Sequence, residues 1–186
     1  PGYEMIWAHE VPHIHLDGGD ARIISGCWGE HIAPSAPSAS WANNPENEVA
    51  LYILTVKAGC SVELPTASAE ANRMMYHIDG GTATVETHQL KPRYGMELRA
   101  NLPTVVEAND EDVRVLILQG KPIAEPVSKH GPFVMNTVEE IYQAFSDYRR
   151  TEFGGWPWGP SDIVHPREQG RFAKMSDGRE IVPPEP

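Results

Sequence analysis

The sequence has little cysteine and little positive charge, and each shortage excludes a class of protein. Only two cysteines, Cys27 and Cys60, occur among 186 residues, so the fold cannot depend on a disulfide framework. Fifteen Lys and Arg stand against 26 Asp and Glu, which gives a net charge of −11. No stretch gathers the basic residues that neutralise phosphates, so we expect no direct binding to nucleic acid.

Long apolar segments are also missing. The longest apolar run, residues 113–118, is interrupted by Arg114 and falls far short of the roughly 20 residues that span a bilayer. Residues 1–15 lack the basic stretch and the continuous apolar segment of a secretory signal. We therefore expect a cytoplasmic protein with reduced thiols and no membrane partner. Because the chain starts at Pro1 and not at Met, we also expect it to be part of a longer polypeptide.

Catalytic motifs are equally scarce. The sequence contains no G-x-S-x-G nucleophile elbow, and no G-x-G-x-x-G phosphate loop follows a predicted strand. Gly154-Gly155 comes after a predicted helix, whereas a phosphate-binding loop would precede one. We therefore predict no catalytic residue in this chain.

What the chain does contain is short β-rich segments separated by turns. Seventeen Pro and sixteen Gly punctuate runs of Val, Ile, Leu, Thr and Tyr. Residues 5–16 and 21–25 lie on either side of Asp17-Gly18-Gly19 and predict a hairpin. Residues 32–45, rich in Pro, Ser and Ala, predict a loop, and residues 49–57 predict a central strand.

The second half of this β region follows the same pattern. Residues 70–78 and 82–88 flank Asp79-Gly80-Gly81 and predict a second hairpin. Residues 104–108 and 113–119 predict two more strands. About seven short strands at roughly ten-residue spacing indicate a sandwich or a barrel.

One helix is predicted, over residues 138–150. Thr137 and Glu140 form a capping box that satisfies amide groups at the helix start. An apolar stripe at helical spacing consists of Ile141, Ala144, Phe145 and Tyr148. The tail that follows has no periodicity, and we expect its aromatic side chains Trp156, Trp158 and Phe172 to fasten it to the barrel.

Several long blocks make the chain recognisable. The segments GKPIAEPV and GPFVMNT, and the WPW of the tail, resemble the C-terminal domain of the pirin family over residues 119–179. The segments WAHEVPHIHLDGG and VALYILTVKAGCSVELP resemble earlier parts of that domain more loosely. The resemblance implies an all-β, jelly-roll-like cupin barrel over residues 1–136. A helix at 137–150 would pack on it, and an irregular aromatic tail would follow at 151–186, all in one domain.

The resemblance also implies a function for the chain. Pirins have two barrels, and three His and one Glu hold a single metal in the N-terminal one. This chain would be the metal-free C-terminal barrel, with an N-terminal barrel as its partner and iron or another first-row transition metal held there. The whole protein would be a quercetin 2,3-dioxygenase-like enzyme or a transcriptional co-regulator acting through protein partners. The alternatives are a stand-alone small-molecule-binding cupin and an enzyme half with residual dioxygenase activity.

The cupin metal pattern can be compared with this sequence position by position. Counted from Gly59, the His-x-His position holds Pro65-Thr66-Ala67, and the later His position holds Val105. Glu70 stands near the carboxylate position, but one carboxylate does not hold a first-row metal. We therefore predict a cavity lined by a proline, small neutral side chains and a valine, with no cofactor in this chain.

The remaining candidates are weaker. His13 and His15 point the same way on a strand, and His77 and His88 flank the second predicted turn, where a cross-strand pair could bind a cation. For these four histidines a structural role is favoured. The candidate interface residues are Ile141, Phe145, Tyr148, Trp156 and Trp158. The helical stripe is expected to pack on the barrel's own outer sheet, and packing on the missing barrel is the alternative.

Overall fold

A computed structural model describes residues 5–156, 159–160, 162, 164–175 and 177–184. The chain divides after Pro122 into two compact units. Trp158 lies outside the described residues.

The described part of the first unit is built from short strands and two single-turn 3-10 helices, Trp41–Asn43 and Pro45–Asn47. The strands are β1 (His13–Leu16), β2 (Gly19–Ser25), β3 (Cys27–Trp28), β4 (His31–Ile32), β5 (Ala50–Val56), β6 (Ser61–Leu64), β7 (Asn72–Gly80), β8 (Ala83–Val85), β9 (His88–Leu90), β10 (Gly95–Arg99), β11 (Thr104–Ala108) and β12 (Val113–Gly120).

These strands form two main antiparallel sheets. The larger has the order β1-β2-β5-β12-β7-β10, and the smaller has the order β6-β11-β8-β9. Alternate residues of β5, from Ala50 to Val56, are buried, and one apolar core draws side chains from both sheets. The predicted all-β, jelly-roll-like fold is confirmed, and it takes the form of two sheets that do not close into a ring across the described residues.

The first predicted hairpin and the predicted central strand are confirmed. β1 pairs with β2, with Leu16 opposite Gly19. β5 lies between β2 and β12 in the larger sheet. Both predictions relied on local patterns, a Gly-rich turn and a run of β-branched residues.

The second predicted hairpin is wrong. β7 pairs with β12 and β10, whereas β8 pairs with β11 and β9 in the other sheet. Gly80 has a φ of +92°, and a Cβ built on it would lie 1.9 Å from the carbonyl oxygen of Asp112. The turn that the sequence marks is therefore present, but it carries the chain from one sheet to the other. Apolar alternation identifies a strand and leaves its pairing partner open.

The second unit contains one α-helix and two short hairpins in its described residues. Its elements are β13 (Ser128–His130), β14 (Phe133–Met135), α1 (Val138–Thr151), the 3-10 helices Glu152–Gly154 and Arg167–Gln169, β15 (Ala173–Lys174) and β16 (Glu180–Ile181). The predicted tail thus contains a hairpin, β15-β16, that the sequence did not predict.

The predicted helix is confirmed together with its capping box. The Glu140 amide donates to Thr137 Oγ1 at 3.2 Å, and the Thr137 amide donates to Glu140 Oε2 at 2.9 Å. No helix within the described ranges combines the length and the apolar character needed to cross a membrane.

Candidate binding cavity

A cavity of about 610 Å³ lies at one end of the larger sheet. Because neighbouring strands are antiparallel, β2 and β12 end where β5 and β7 begin. In β12, Gln119 is opposite Ala50 on one side and Arg73 on the other. The register therefore brings side chains from distant parts of the sequence to one edge of the sheet.

Small side chains form much of the cavity wall. They come from the predicted loop and from the segment after β6, and they include Ala33, Pro34, Ala36, Ala42, Pro65 and Ala67. Pro65, Thr66 and Ala67, which stand where the cupin pattern has its His-x-His, all line the cavity.

Two other positions of the metal pattern lie elsewhere. Val105 does not line the cavity, and neither do its buried neighbours Thr104 and Val106 on β11. The prediction that Val105 lines the cavity is therefore wrong. Glu70 is exposed and pairs with Lys121 Nζ at 3.1 Å.

Arg73 is the main charged group in the wall and is only 2% exposed. Its Nε donates to Gln119 Oε1 at 2.8 Å, and its Nη2 donates to the same oxygen and to the Pro65 carbonyl. Its Nη1 is buried and has no hydrogen-bond partner among the residues that the structure describes. Burial lowers the pKa of Arg73, but a guanidinium stays protonated at neutral pH.

Tyr52 lies in the same wall and is 4% exposed. Its hydroxyl donates to the Cys27 carbonyl, and Trp28 contacts its ring edge-on with centroids 5.2 Å apart. Burial raises the pKa of Tyr52 to about 12. The phenol is therefore neutral at physiological pH and supplies no counter-charge to Arg73.

Glu48 is the carboxylate of the cavity lining. It accepts hydrogen bonds from the amide and the hydroxyl of Ser68, and Lys121 Nζ lies 3.6 Å away. The hydrogen bond from the Ser68 side chain is the main cause that lowers the pKa of Glu48. Glu48 is thus ionised and bound to groups other than Arg73.

The side chains of the cavity do not fit a first-row transition metal. Among the described residues that line it, Cys27 and Glu48 are the only ones with a thiol or carboxylate side chain, and none has an imidazole. Glu48 is already bound to Ser68 and Lys121. In the part of the chain that the structure describes, no three His, Cys, Asp or Glu residues come together as a metal-binding group.

The four candidate histidines lie at three different places. His13 and His15 share the exposed side of β1 with ring centroids 5.3 Å apart, and His13 Nε2 lies 2.8 Å from Asp20 Oδ1. His77 is buried, with its Nε2 2.6 Å from the Gly81 carbonyl oxygen. His88 is exposed in the other sheet. The predicted cross-strand pair of His77 and His88 is not formed.

The candidate interface residues differ in their exposure. Ile141 is buried, and Phe145 packs edge-on against Phe133, with centroids 4.8 Å apart. Tyr148 contacts Phe133 as well and remains 48% exposed. Phe145 and Tyr148 thus pack on the β13-β14 hairpin of their own unit. Packing of the helix on the barrel stays a prediction.

The described tryptophan of the tail is half exposed. Trp156 is 49% exposed, and its Nε1 donates to the Pro160 carbonyl at 3.0 Å. Phe172 lies edge-on to His165 with centroids 4.8 Å apart. Both contacts join one residue of the tail to another residue of the tail.

Sequence reasoning missed Arg73, although a signal was present. Arg73, Met75 and His77 alternate along one side of β7, Ala71 precedes the strand at the same spacing, and all four are buried. An arginine that occupies one of the alternating apolar positions of a strand predicts a buried charge at that position.

The two sheets and the cavity at their edge define a cupin domain. A model of the pirin C-terminal cupin domain matches residues 51–154, which is more than half of the chain. The chain therefore belongs to the pirin family, as the C-terminal type of its cupin domains.

Known proteins resemble it over most of its length. A pirin-like protein of Caulobacter vibrioides is 34% identical over 82% of the chain, and human pirin is 28% identical over 83%. A crystal structure of a quercetin 2,3-dioxygenase from Acinetobacter baumannii superimposes on 80% of the chain with a TM-score of 0.67 and 26% identity. The chain spans about half the length of these relatives: 52%, 51% and 49%, respectively.

Proposed function

We propose that this chain is the supporting barrel of a two-barrel protein and that it packs on an N-terminal cupin barrel that holds the metal. The observation that carries the proposal is the cavity wall, in which Pro65, Thr66 and Ala67 replace the imidazoles of a cupin metal site. The half-length match to the relatives supports the same arrangement.

The second unit offers a surface for this packing. Tyr148 and Trp156 keep about half of their area exposed, and large aromatic side chains of this kind are frequent at the centres of interfaces. Phe145 would act indirectly, by holding the helix on its hairpin, and Ile141 is already buried. The proposed contact therefore depends on Tyr148 and Trp156.

The activity proposed for the whole protein is quercetin 2,3-dioxygenation, with iron or another first-row transition metal in the N-terminal barrel. Its support is the structural match to a protein that bears this activity in its name. A role in transcription through protein partners, which the resemblance to pirins also implies, is the alternative.

Metal content and turnover of the chain alone test the supporting role. The chain would be incubated in turn with Fe(II), Cu(II), Ni(II) and Mn(II) and then desalted. Its metal content would be measured by inductively coupled plasma mass spectrometry, and its activity by the consumption of quercetin and oxygen. We expect metal well below one equivalent and no turnover. One equivalent of bound metal together with turnover would instead identify an enzyme half with activity of its own.

Reassociation tests the packing. The N-terminal half of the Caulobacter vibrioides relative would be produced separately and mixed with the chain in analytical ultracentrifugation. We expect a one-to-one complex that Trp156→Ala weakens and Tyr94→Ala leaves unchanged, since Tyr94 is an exposed aromatic of the first unit. Two folded halves that sediment independently at high concentration would contradict the proposal.

A further inference from the structure

A buried positive charge without a counter-ion lies in the wall of the cavity. Arg73 is 2% exposed, and no carboxylate among the described residues forms an ion pair with it. We propose that the cavity binds a small organic carboxylate, a monoanion with an apolar body, and that Arg73 is its anchor. This inference does not depend on the N-terminal barrel.

The hydrogen bonds of Arg73 show which part of the group lacks an acceptor. A guanidinium has five N–H donors. Nε uses one and Nη2 uses both of its own, on the Gln119 amide oxygen and the Pro65 carbonyl. Within the described part of the chain, both N–H groups of Nη1 are without an acceptor, and buried polar groups in native proteins rarely lack a partner.

The acceptors that Arg73 does have are neutral. An amide oxygen and a backbone carbonyl satisfy hydrogen bonds but do not cancel a charge, and a buried charge without a partner is unfavourable. Tyr52, the hydroxyl-bearing ring in the same wall, donates its proton to the Cys27 carbonyl and so offers no anion. An anionic ligand would supply both the missing acceptor and the missing charge.

The guanidinium is also held in a fixed orientation. Gln119 accepts from two of its nitrogens, and the Gln119 Nε2 donates in turn to the Glu48 carbonyl at 3.0 Å. Gln119 is therefore a positioning residue that fixes the plane of the guanidinium and leaves Nη1 as its unused end. A group fixed before the ligand arrives loses less conformational entropy on binding.

Charge and shape favour a monoanionic carboxylate over phosphate. Among the described lining residues, Arg73 carries the one positive charge, and the ionised Glu48 lies in the same lining. Glu48 would therefore repel a dianion more strongly than a monoanion. The wall of alanines and prolines suits an apolar body. A volume of about 610 Å³ is within the range of small-molecule sites.

The first experiment uses the wild-type chain and three probes of different charge. Benzoate, its neutral counterpart benzamide, and inorganic phosphate would be titrated separately into the uniformly ¹⁵N-labelled protein and followed by amide chemical shifts. We expect benzoate to shift amides around Ala50, Thr66 and Ala67 saturably, benzamide to bind at least about tenfold more weakly, and phosphate not to bind there. Equal binding of benzoate and benzamide would overturn the proposal. Phosphate binding as tight as that of benzoate would overturn the assignment to carboxylates.

The second experiment removes the charge. Arg73→Met should weaken benzoate binding at least about tenfold, whereas the matched control Arg99→Met should leave it unchanged. Arg99 is exposed on β10, opposite Asn72, and does not line the cavity. Unchanged benzoate affinity in a folded Arg73→Met chain would overturn the proposal.

A variant that keeps the charge covers the case in which Arg73→Met does not fold. Arg73→Lys should retain a preference for benzoate over benzamide, with a lower affinity than the wild type, because an ammonium lacks the planar fork. Loss of that preference in a folded Lys variant would count against the charge as the anchor. Failure of these binding tests leaves reassociation with the N-terminal barrel unaffected, so the two proposals can be told apart.

Discussion

The buried phenol of Tyr52 makes the stability of the first unit depend on pH in the alkaline range. The folded state raises the pKa of Tyr52 from about 10 to about 12, so the neutral phenol is favoured in the folded protein. Its stabilising contribution is complete below about pH 10 and is lost as pH rises from 10 to 12. The shift corresponds to roughly 2 to 3 kcal/mol.

Replacing this phenol tests the coupling. Tyr52→Phe should lower the free energy of unfolding by about 1 kcal/mol at neutral pH, because the Cys27 carbonyl loses its hydrogen bond. Its stability should fall less steeply than that of the wild type between pH 10 and 12. Urea unfolding across that range measures both effects, with exposed Tyr94→Phe as the control. Parallel slopes for Tyr52→Phe and the wild type would show that Tyr52 is not responsible.

Individual site residues could be predicted from the sequence only where a pattern fixed their position. The replacement of the metal ligands at residues 65–67 could be predicted, and those residues do line the cavity. Val105 was expected in the wall, but strand β11, to which it belongs, contributes no residue to the cavity lining. The contact of Arg73 with Gln119 joins residues 46 apart, and only the folded register brings them together.

Among the elements, the crossing from β7 to β8 is the most constrained. Gly80 has a positive φ, and a Cβ there would contact the Asp112 carbonyl at 1.9 Å. Gly80→Ala should therefore destabilise the protein by about 2 to 4 kcal/mol. Gly59 has a φ of +70°, and a Cβ built there would have no atom of the described residues within 4 Å apart from its chain neighbours. Gly59→Ala should therefore lower the free energy of unfolding by about 1 kcal/mol, through backbone strain alone.

Thermal and urea unfolding of the two variants separate steric overlap from dihedral strain. Equal losses would mean that the backbone at Gly80 shifts to accept a side chain. Loss of the cooperative transition in the Gly80 variant alone would agree with a crossing that tolerates no side chain.

The helix is held on its hairpin by aromatic packing. Phe145 contacts both Phe133 and His130 edge-on, so Phe145→Ala should destabilise the second unit by about 2 kcal/mol. Tyr142→Ala, on the exposed side of the same helix, should change stability by less than about 0.5 kcal/mol. Hydrogen exchange of the helix amides would report the difference, and equal protection in both variants would contradict it.

Strands and helices whose sequence carries its own pattern could be predicted, whereas the strands with which they pair could not. Helix α1 has a capping box and an apolar stripe within its own residues, and its predicted range differs from the observed one only by Thr151. The sheet to which β8 belongs is decided by its pairing with β11, more than twenty residues away. Short strands such as β13 and β14 lack a long alternating pattern, and the sequence did not indicate them.

For the molecule as a whole, the division after Pro122 makes a direct prediction. All residues of the apolar core between the two sheets precede that point. Residues 1–122 should therefore fold without the second unit and unfold cooperatively in guanidinium chloride, as followed by circular dichroism. A gradual, non-cooperative transition would show that the second unit is required for the fold.

The cavity draws its walls from two kinds of structure. Arg73 and Gln119 stand on paired strands of the larger sheet, whereas Ala33, Pro34 and Ala36 belong to a loop between β4 and β5. Of these three loop residues, only Ala33 is buried in the core. The charged anchor and the shape of the cavity can therefore change separately over evolution. Paralogues could acquire new ligand preferences through substitutions in this loop while the sheet beneath it stays the same.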